Sequence, residues 1–240
     1  MGLSTKLIAL KGMILDILFP PICLNCKTDL RGNEKLMRIC IKCADSIIAY
    51  SAFFCPKCKA RVPGEEKTCH KDIKFILAAA ADYQNPAVKN LVKFFKYNKW
   101  KCLVKLMEPI ICDYLVVLGY DFSGFTAVPI PLHPERRKER GFNQSELIAE
   151  IFCGHARAKL DFGNLKRVKE TLVQAELKNA EERRENVKNC FALSNPEAIR
   201  NKNIVLVDDV FTTGSTIGEA AELLKKSGAK KIIAFVFAKA

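Results

Sequence analysis

From about residue 75 onward, short continuous apolar runs alternate with segments whose apolar residues recur every three or four positions. The runs FTAVPIP (125–131), NIVLVDD (203–209) and KIIAFVFA (231–238) are short and rich in β-branched and aromatic residues. They predict strands covered on both faces. Between them, Val88, Leu91, Val92 and Phe95 mark one helical face. Residues 143–152 predict a second helix, and Ile217, Ala220, Ala221 and Leu224 a third over 215–227. Asn85-Pro86 supplies an N-cap with proline in the first turn, and Gly228 a C′ residue after Lys225 and Lys226. Strands alternating with helices predict an α/β fold: a mostly parallel sheet flanked by helices.

The first 75 residues follow neither rhythm for long. Leu7, Leu10, Ile14, Ile17 and Leu18 share a helical face over residues 1–19, interrupted by Lys11 and Asp16. An amphipathic helix packed on the fold is expected, with peripheral docking on a membrane surface as the alternative. No uninterrupted apolar stretch is long enough to span a bilayer, and no small-residue cleavage pattern follows. Residues 20–74 hold little apolar material and many cysteines, a composition in which metal supplies missing stability. The expected division is a helix over 1–19, a zinc-ribbon module over 20–74 and an α/β domain over 75–240.

Cys23-x-x-Cys26 and Cys40-x-x-Cys43 can each grip a metal from a tight turn. Together they complete a tetrahedron of thiolates with no open position for substrate, so structural zinc is expected. Cys55-x-x-Cys58 and Cys69 repeat the pattern, but position 72 is Asp. A second metal needs His70 or Asp72 as its fourth ligand. A metal-free second half, or ligand sets interleaved between the halves, are the alternatives. Cysteines used in this way place the chain in the reducing cytoplasm. Cys102, Cys112, Cys153 and Cys190 are scattered and expected to pack in the core.

Charge adds a direction to this picture. The formal net charge of +13 favours polyanionic or anionic partners, or serves solubility alone. Between Asp82 and Glu108 no acidic residue occurs, while Lys89, Lys93, Lys96, Lys99, Lys101 and Lys105 do, interleaved with Phe94, Tyr97 and Trp100. Lysines beside aromatic rings suit single-stranded DNA, with Lys89, Lys93, Lys96, Lys99 and Trp100 as candidates. A solvated lysine face over a packed helix is the alternative. Phe95 shares the face of Leu91 and Val92 and belongs to the core.

The most specific chemistry lies in NIVLVDDVFTTGSTIGEA, 203–220. An apolar strand ends on Asp208 and Asp209, and Thr212, Thr213, Gly214, Ser215 and Thr216 then open a helix. Amides, hydroxyls and the positive helix end suit a phosphate, and ligands of such sheets gather at strand carboxyl ends. Neither GxxxxGK[ST] nor GxGxxG is present at this loop.

VLVDDVFTTGST resembles the 5-phosphoribosyl-1-pyrophosphate (PRPP) motif of type I phosphoribosyltransferases. The resemblance implies that Asp208 and Asp209 hold ribose hydroxyls, that residues 212–216 cradle the 5′-phosphate, and that Mg²⁺ arrives on the pyrophosphate. PLHPERRKERGFNQ (131–144), QAELKNAEERRENVKNCF (174–191) and the order of segments resemble the ComF family of competence proteins, ComFC type. Asp72 is the main departure from that family's pattern. A loop in the place of 131–144 binds pyrophosphate in phosphoribosyltransferases, which makes Pro131, Leu132, Arg136 and Arg140 candidates. Intrahelical pairing with Glu135 and Glu139 is the alternative. His133 is expected to be structural. Arg183 and Arg184 are expected at the surface or in contacts between segments, although the family pattern includes Arg183, Asn186 and Gln174.

The family implies a PRPP-binding protein that handles incoming single-stranded DNA during natural transformation, with other DNA-uptake proteins as partners. A metabolic phosphoribosyltransferase acting on a base or amine, and a catalytically silent PRPP sensor, require the same fold. No catalytic residue and no acceptor is legible.

Overall fold

The computed structural model describes residues 21–64, 69–97, 101–171 and 179–240. The helix expected over 1–19 lies outside them, as do Lys99, Trp100 and Gln174.

Strands are numbered in chain order. β1 (Phe53–Phe54), β2 (Arg61–Val62), β3 (Ile76–Asp82), β4 (Phe125–Pro129), β5 (Lys159–Leu160), β8 (Asn203–Phe211) and β9 (Lys231–Lys239) form the main sheet. Its order is β2-β1-β3-β9-β8-β4-β5. From β3 to β5 every pairing is parallel, with Ile204 of β8 opposite Ile232 of β9 and Thr126 of β4. β6 (Leu165–Arg167) and β7 (Phe191–Leu193) form a separate antiparallel pair. The short strands β1 and β2 are antiparallel additions at one edge, contributed by the cysteine-rich region.

The central strand β8 shows why its sequence is apolar without alternation. Val205 and Val207 enter the core on one face, and Ile204 and Leu206 the core on the other. The first face is covered by α3 (Pro86–Tyr97), α4 (Val104–Leu118) and α6 (Gln144–Ala156), which bury Leu91, Phe95, Met107, Tyr114 and Phe152. The second is covered by α8 (Ser215–Lys226), through Ile217, Ala220, Ala221 and Leu224, and by Leu165 and Phe191 of the small sheet. The remaining helices are α1 (Glu34–Met37), α2 (Ile41–Asp45), α5 (Pro134–Arg140) and α7 (Ala180–Val187).

Asn85 caps α3 through its side-chain oxygen, which accepts from the amides of Ala87 at 2.9 Å and Val88 at 3.4 Å. Gly228 follows α8 at φ +87°. Three boundaries differ from the sequence reading by two residues or more. β8 continues to Phe211, because Val210 and Phe211 still pair with Ala238 and Lys239. β4 ends at Pro129, two residues short of the second proline of its run, and α6 extends four residues beyond 152.

Candidate functional site

The carboxyl ends of three parallel strands open into one cleft of about 500 Å³. Tyr83 follows β3, Ile130 and Leu132 follow β4, and Asp208 and Asp209 lie near the end of β8. A parallel sheet leaves its crevice there.

The sequence RGFNQS builds the next wall. Gly141 ends α5 at φ +78°, and Phe142 turns inward, 5.4 Å from the ring of Phe95. Asn143 then caps α6: its Oδ1 accepts from the Ser145 amide at 3.1 Å, while its Nδ2 donates to the Ile130 carbonyl at 3.0 Å. One asparagine thus fixes the helix start against the end of β4. It delivers two side chains to the cleft. Ser145 Oγ donates to Asp208 Oδ1 at 2.9 Å, and Gln144 Oε1 accepts from Arg140 Nη1 at 3.1 Å. Gln144 is 1% exposed, and its Nε2 has no protein partner.

The two acids have different environments. Asp209 is buried, and its Oδ1 lies 2.9 Å from Nζ of Lys96, on the last turn of α3. Burial works against the Lys96 charge, but the Asp209 carboxylate, backed by Asp208, outweighs it and raises the ammonium's pKa. Asp208 is pushed up to about 6, first by burial and then by the charge of Asp209. Lys96, the Asp209 amide and Ser145 act in the opposite direction. Two adjacent carboxylates are thus made unequal, one ion-paired and one poised to take a proton.

Beyond them, Gly214 begins α8 at φ +76°. A Cβ there would lie 2.5 Å from Phe211 Cζ, so both the left-handed backbone and the ring beneath demand glycine. Thr213 Oγ1 and Ser215 Oγ are 2.9 Å apart, beside the first turn of the helix. The positive end of α8 and these hydroxyls all border the cleft, which suits an oxyanion.

Arg136, Arg140, Arg167 and Arg183 line the opposite side, and Lys89 and Lys93 stand exposed on α3 at its margin. Arg137 serves structure instead, with both guanidinium nitrogens on Glu146 at 2.5 and 2.9 Å. Arg136 donates to the Thr171 carbonyl.

The cysteines gather by halves. The sulfurs of Cys23, Cys26, Cys40 and Cys43 all lie within 4.8 Å of one another, as do those of Cys55, Cys58 and Cys69 with a ring nitrogen of His70. Neighbouring ligands are 3.6 Å apart for Cys26–Cys40, 3.3 Å for Cys58–Cys69 and 3.4 Å for Cys55–His70 Nδ1. A zinc tetrahedron with bonds of about 2.3 Å has edges of about 3.8 Å, so both groups fit the ion. Amides of Asn25 and Cys40 point at Cys23 Sγ, the usual support for a metal-bound thiolate. Of the two fourth-ligand candidates, His70 stands with the three cysteines of the second group, while the Asp72 carboxylate pairs with Lys57 at 2.9 Å. The halves do not interleave.

Of the sequence candidates, Asp208, Asp209, residues 212–216, Leu132, Arg136, Arg140, Lys89, Lys93 and Lys96 meet in one cleft. Pro131 is not among its lining residues. Lys96 stands inside the cleft on Asp209, not on an outer lysine face. Phe94 is partly buried beneath Lys27, whose Nζ is 5.7 Å from its ring centre. Of the two arginines expected at the surface or between segments, Arg183 lines the cleft and Arg184 is exposed. Gln144, Ser145 and Arg167 were not singled out by sequence. The first two lie in or beside RGFNQ, a signal that was present but whose contacts are tertiary.

The phosphoribosyl transferase domain family matches residues 147–240, and the double zinc ribbon domain family residues 14–74. The chain is 28% identical to the DNA utilization protein YhgH of Salmonella typhimurium, covering 89% of this chain and 94% of that one. It is 39% identical to Competence protein F of Haemophilus influenzae over 47% of this chain and 49% of that one. It is 26% identical to Competence protein ComFC of Bacillus subtilis over 86% and 85% of the two chains. Among the described residues, no helix is long and apolar enough to cross a membrane.

Proposed function

The chain is a ComF-family protein with a phosphoribosyltransferase domain, and we propose that its cleft binds PRPP with Mg²⁺ in the service of handling incoming single-stranded DNA. The observation that carries the reading is convergence. An acid pair, a hydroxyl-rich helix start and two arginines face one cavity from three directions. In this reading Asp208 and Asp209 accept from the ribose hydroxyls, residues 212–216 hold the 5′-phosphate, and Arg136 and Arg140 hold the pyrophosphate. The buried, unpartnered Nε2 of Gln144 supports it, since a pyrophosphate oxygen supplies the acceptor that this amide lacks. Two carboxylates are too few to cage Mg²⁺, which fits an ion carried largely by ligand oxygens and water.

Group transfer would break the bond between the anomeric carbon and pyrophosphate and join that carbon to an acceptor, which gives up its proton. The protein's part would be positioning and charge stabilisation. PRPP with Mg²⁺ is expected to raise the melting temperature, since a ligand at a hundred times its Kd stabilises by about 2.7 kcal/mol. The rise should shrink or vanish in Asp208→Asn; an equal rise in both proteins removes the acids from the site. Pyrophosphate release with a new ribosyl product, screened over acceptors including single-stranded DNA, separates enzyme from sensor.

For DNA, the supporting observation is that Lys89 and Lys93 are exposed at the margin of the same cleft. Two relatives bear the name of competence proteins and one that of a DNA utilization protein. Binding should weaken steeply with salt. Charge reversal at both lysines should lower affinity at low salt, and unchanged affinity excludes this part of α3.

A further inference from the structure

The cleft contains more positive charge than PRPP requires, and the surplus has a place. Once the 5′-phosphate and pyrophosphate are assigned, Arg167 and Arg183 remain, and the contacts of Arg167 define a place. Arg167 leaves the end of β6, opposite Phe191 of β7, and its guanidinium lies 5.6 Å from the centre of that ring. One nitrogen donates to Thr171 Oγ1, while Nε is buried without a protein partner. Arg136 reaches the carbonyl of the same threonine, so two guanidiniums converge on one buried residue. Among the described residues, neither is ion-paired with a carboxylate. Burial lowers the pKa of Arg136, and the charges of Arg167 and Arg140 lower it further, with Glu139 and Glu170 offsetting only part. Like charges gathered around a half-buried, aromatic-backed position are what a bound oxyanion relieves.

We infer that Arg167 forms a second anion subsite, next to the pyrophosphate position held by Arg136, which takes an oxyanion group of the second ligand, a phosphate or a carboxylate. The inference rests on the PRPP reading for its geometry and narrows it: the partner of PRPP in this cleft carries negative charge close to its reacting end. An uncharged base or amine would leave the buried Nε of Arg167 without an acceptor. The aromatic face of Phe191 is already occupied by Arg167, so recognition here works through the guanidinium.

The test is calorimetric titration of the full chain, with and without saturating PRPP and Mg²⁺. Deoxyadenosine 5′-monophosphate, deoxyadenosine and succinate serve as probes. Wild type is expected to bind the monophosphate, or the dicarboxylate, about tenfold or more tightly than the nucleoside, the scale of a charge-assisted hydrogen bond. Arg167→Gln should abolish that preference with PRPP affinity retained, and Arg167→Lys should restore part of it. The responding probe tells phosphate from carboxylate. If Arg167→Gln unfolds, the comparison in wild type and Arg167→Lys still decides. No anion preference in wild type, or one that survives in Arg167→Gln, overturns the subsite. So does one abolished by saturating PRPP, since the anion was then in the 5′-phosphate loop. If PRPP fails to bind while an Arg167-dependent preference persists, the subsite stands and the PRPP reading falls.

Discussion

Purified protein is expected to carry two zinc ions per chain, and serine at Cys40 or at Cys58 to reduce that to one. The expectation follows from two closed ligand groups, Cys23/Cys26/Cys40/Cys43 and Cys55/Cys58/Cys69/His70. Apparent binding free energies of structural zinc reach about 10 kcal/mol or more, comparable to the whole stability of a domain. The first group's own segment adds only a few side chains to the core. Leu24, Leu30 and Ile39 are its buried neighbours in the chain, while Leu36, Ile41 and Ile48 remain largely exposed. Chelation should therefore lower the melting temperature by well over ten degrees, and the Cys40→Ser protein should resemble the chelated one. The second group is tied to the main sheet, since β1 carries Phe53 and Phe54 into the two cores. Loss of its ion should be milder. Metal analysis giving one ion in wild type, with His70→Ala unchanged, would remove histidine from the ligand set.

The second large effect concerns the acid pair and pH. Asp208 has its pKa raised from 3.8 to about 6, so the folded state holds a proton there that the unfolded chain releases. A group raised in this way contributes stability that is fully present below its unfolded pKa and is lost as pH rises through the folded value. About two units correspond to about 2–3 kcal/mol, lost between roughly pH 4 and 6. Two substitutions should move this window in opposite directions. Lys96→Met removes a cation that lowers the Asp208 pKa and should shift the window up. Asp209→Asn removes the neighbouring charge that raises it and should shift it down. Each also breaks the 2.9 Å ion pair, which in a largely buried setting costs about 3 kcal/mol or more. Melting temperature against pH in the three proteins reads both effects. Ligand hydroxyls need an ionised acceptor, so PRPP affinity should fall below pH 6 in wild type. An inflection that stays put in both variants would mean that another group titrates.

What was legible in the sequence is what neighbours in the chain decide. The run Ile204–Val207 announced a strand buried on two faces, and Gly214 with its hydroxyl neighbours a helix start after a tight turn. The first four cysteines declared themselves by spacing. Spacing alone left His70 and Asp72 as alternatives; the fold sets the His70 Nδ1 3.4 Å from Cys55 Sγ and 3.3 Å from Cys69 Sγ, while Asp72 turns to Lys57. Helix α4 was not read, since Pro109 interrupts it and two exposed valines, Val116 and Val117, blur its apolar face. Lys96 could not be paired with Asp209 from the sequence. The contact exists only because α3, packed through Leu91 and Phe95, ends over the carboxyl end of β8. Arg136 and Thr171 also come from distant parts of the chain.

The asparagine between the first two cysteines links these two stories. Asn25 Nδ2 donates to Cys43 Sγ at 3.3 Å, and its Oδ1 accepts from Nδ2 of Asn90 at 3.0 Å. Asn90 lies on α3, between Lys89 and Lys93 and one and a half turns before Lys96. The knuckle is therefore a jig for the helix that reaches the acids. Loss of its ion would take away one support of α3 and leave the apolar packing of Leu91 and Phe95 in place. Occupancy of a site outside the cleft would then tune how firmly Lys96 is held over the acids.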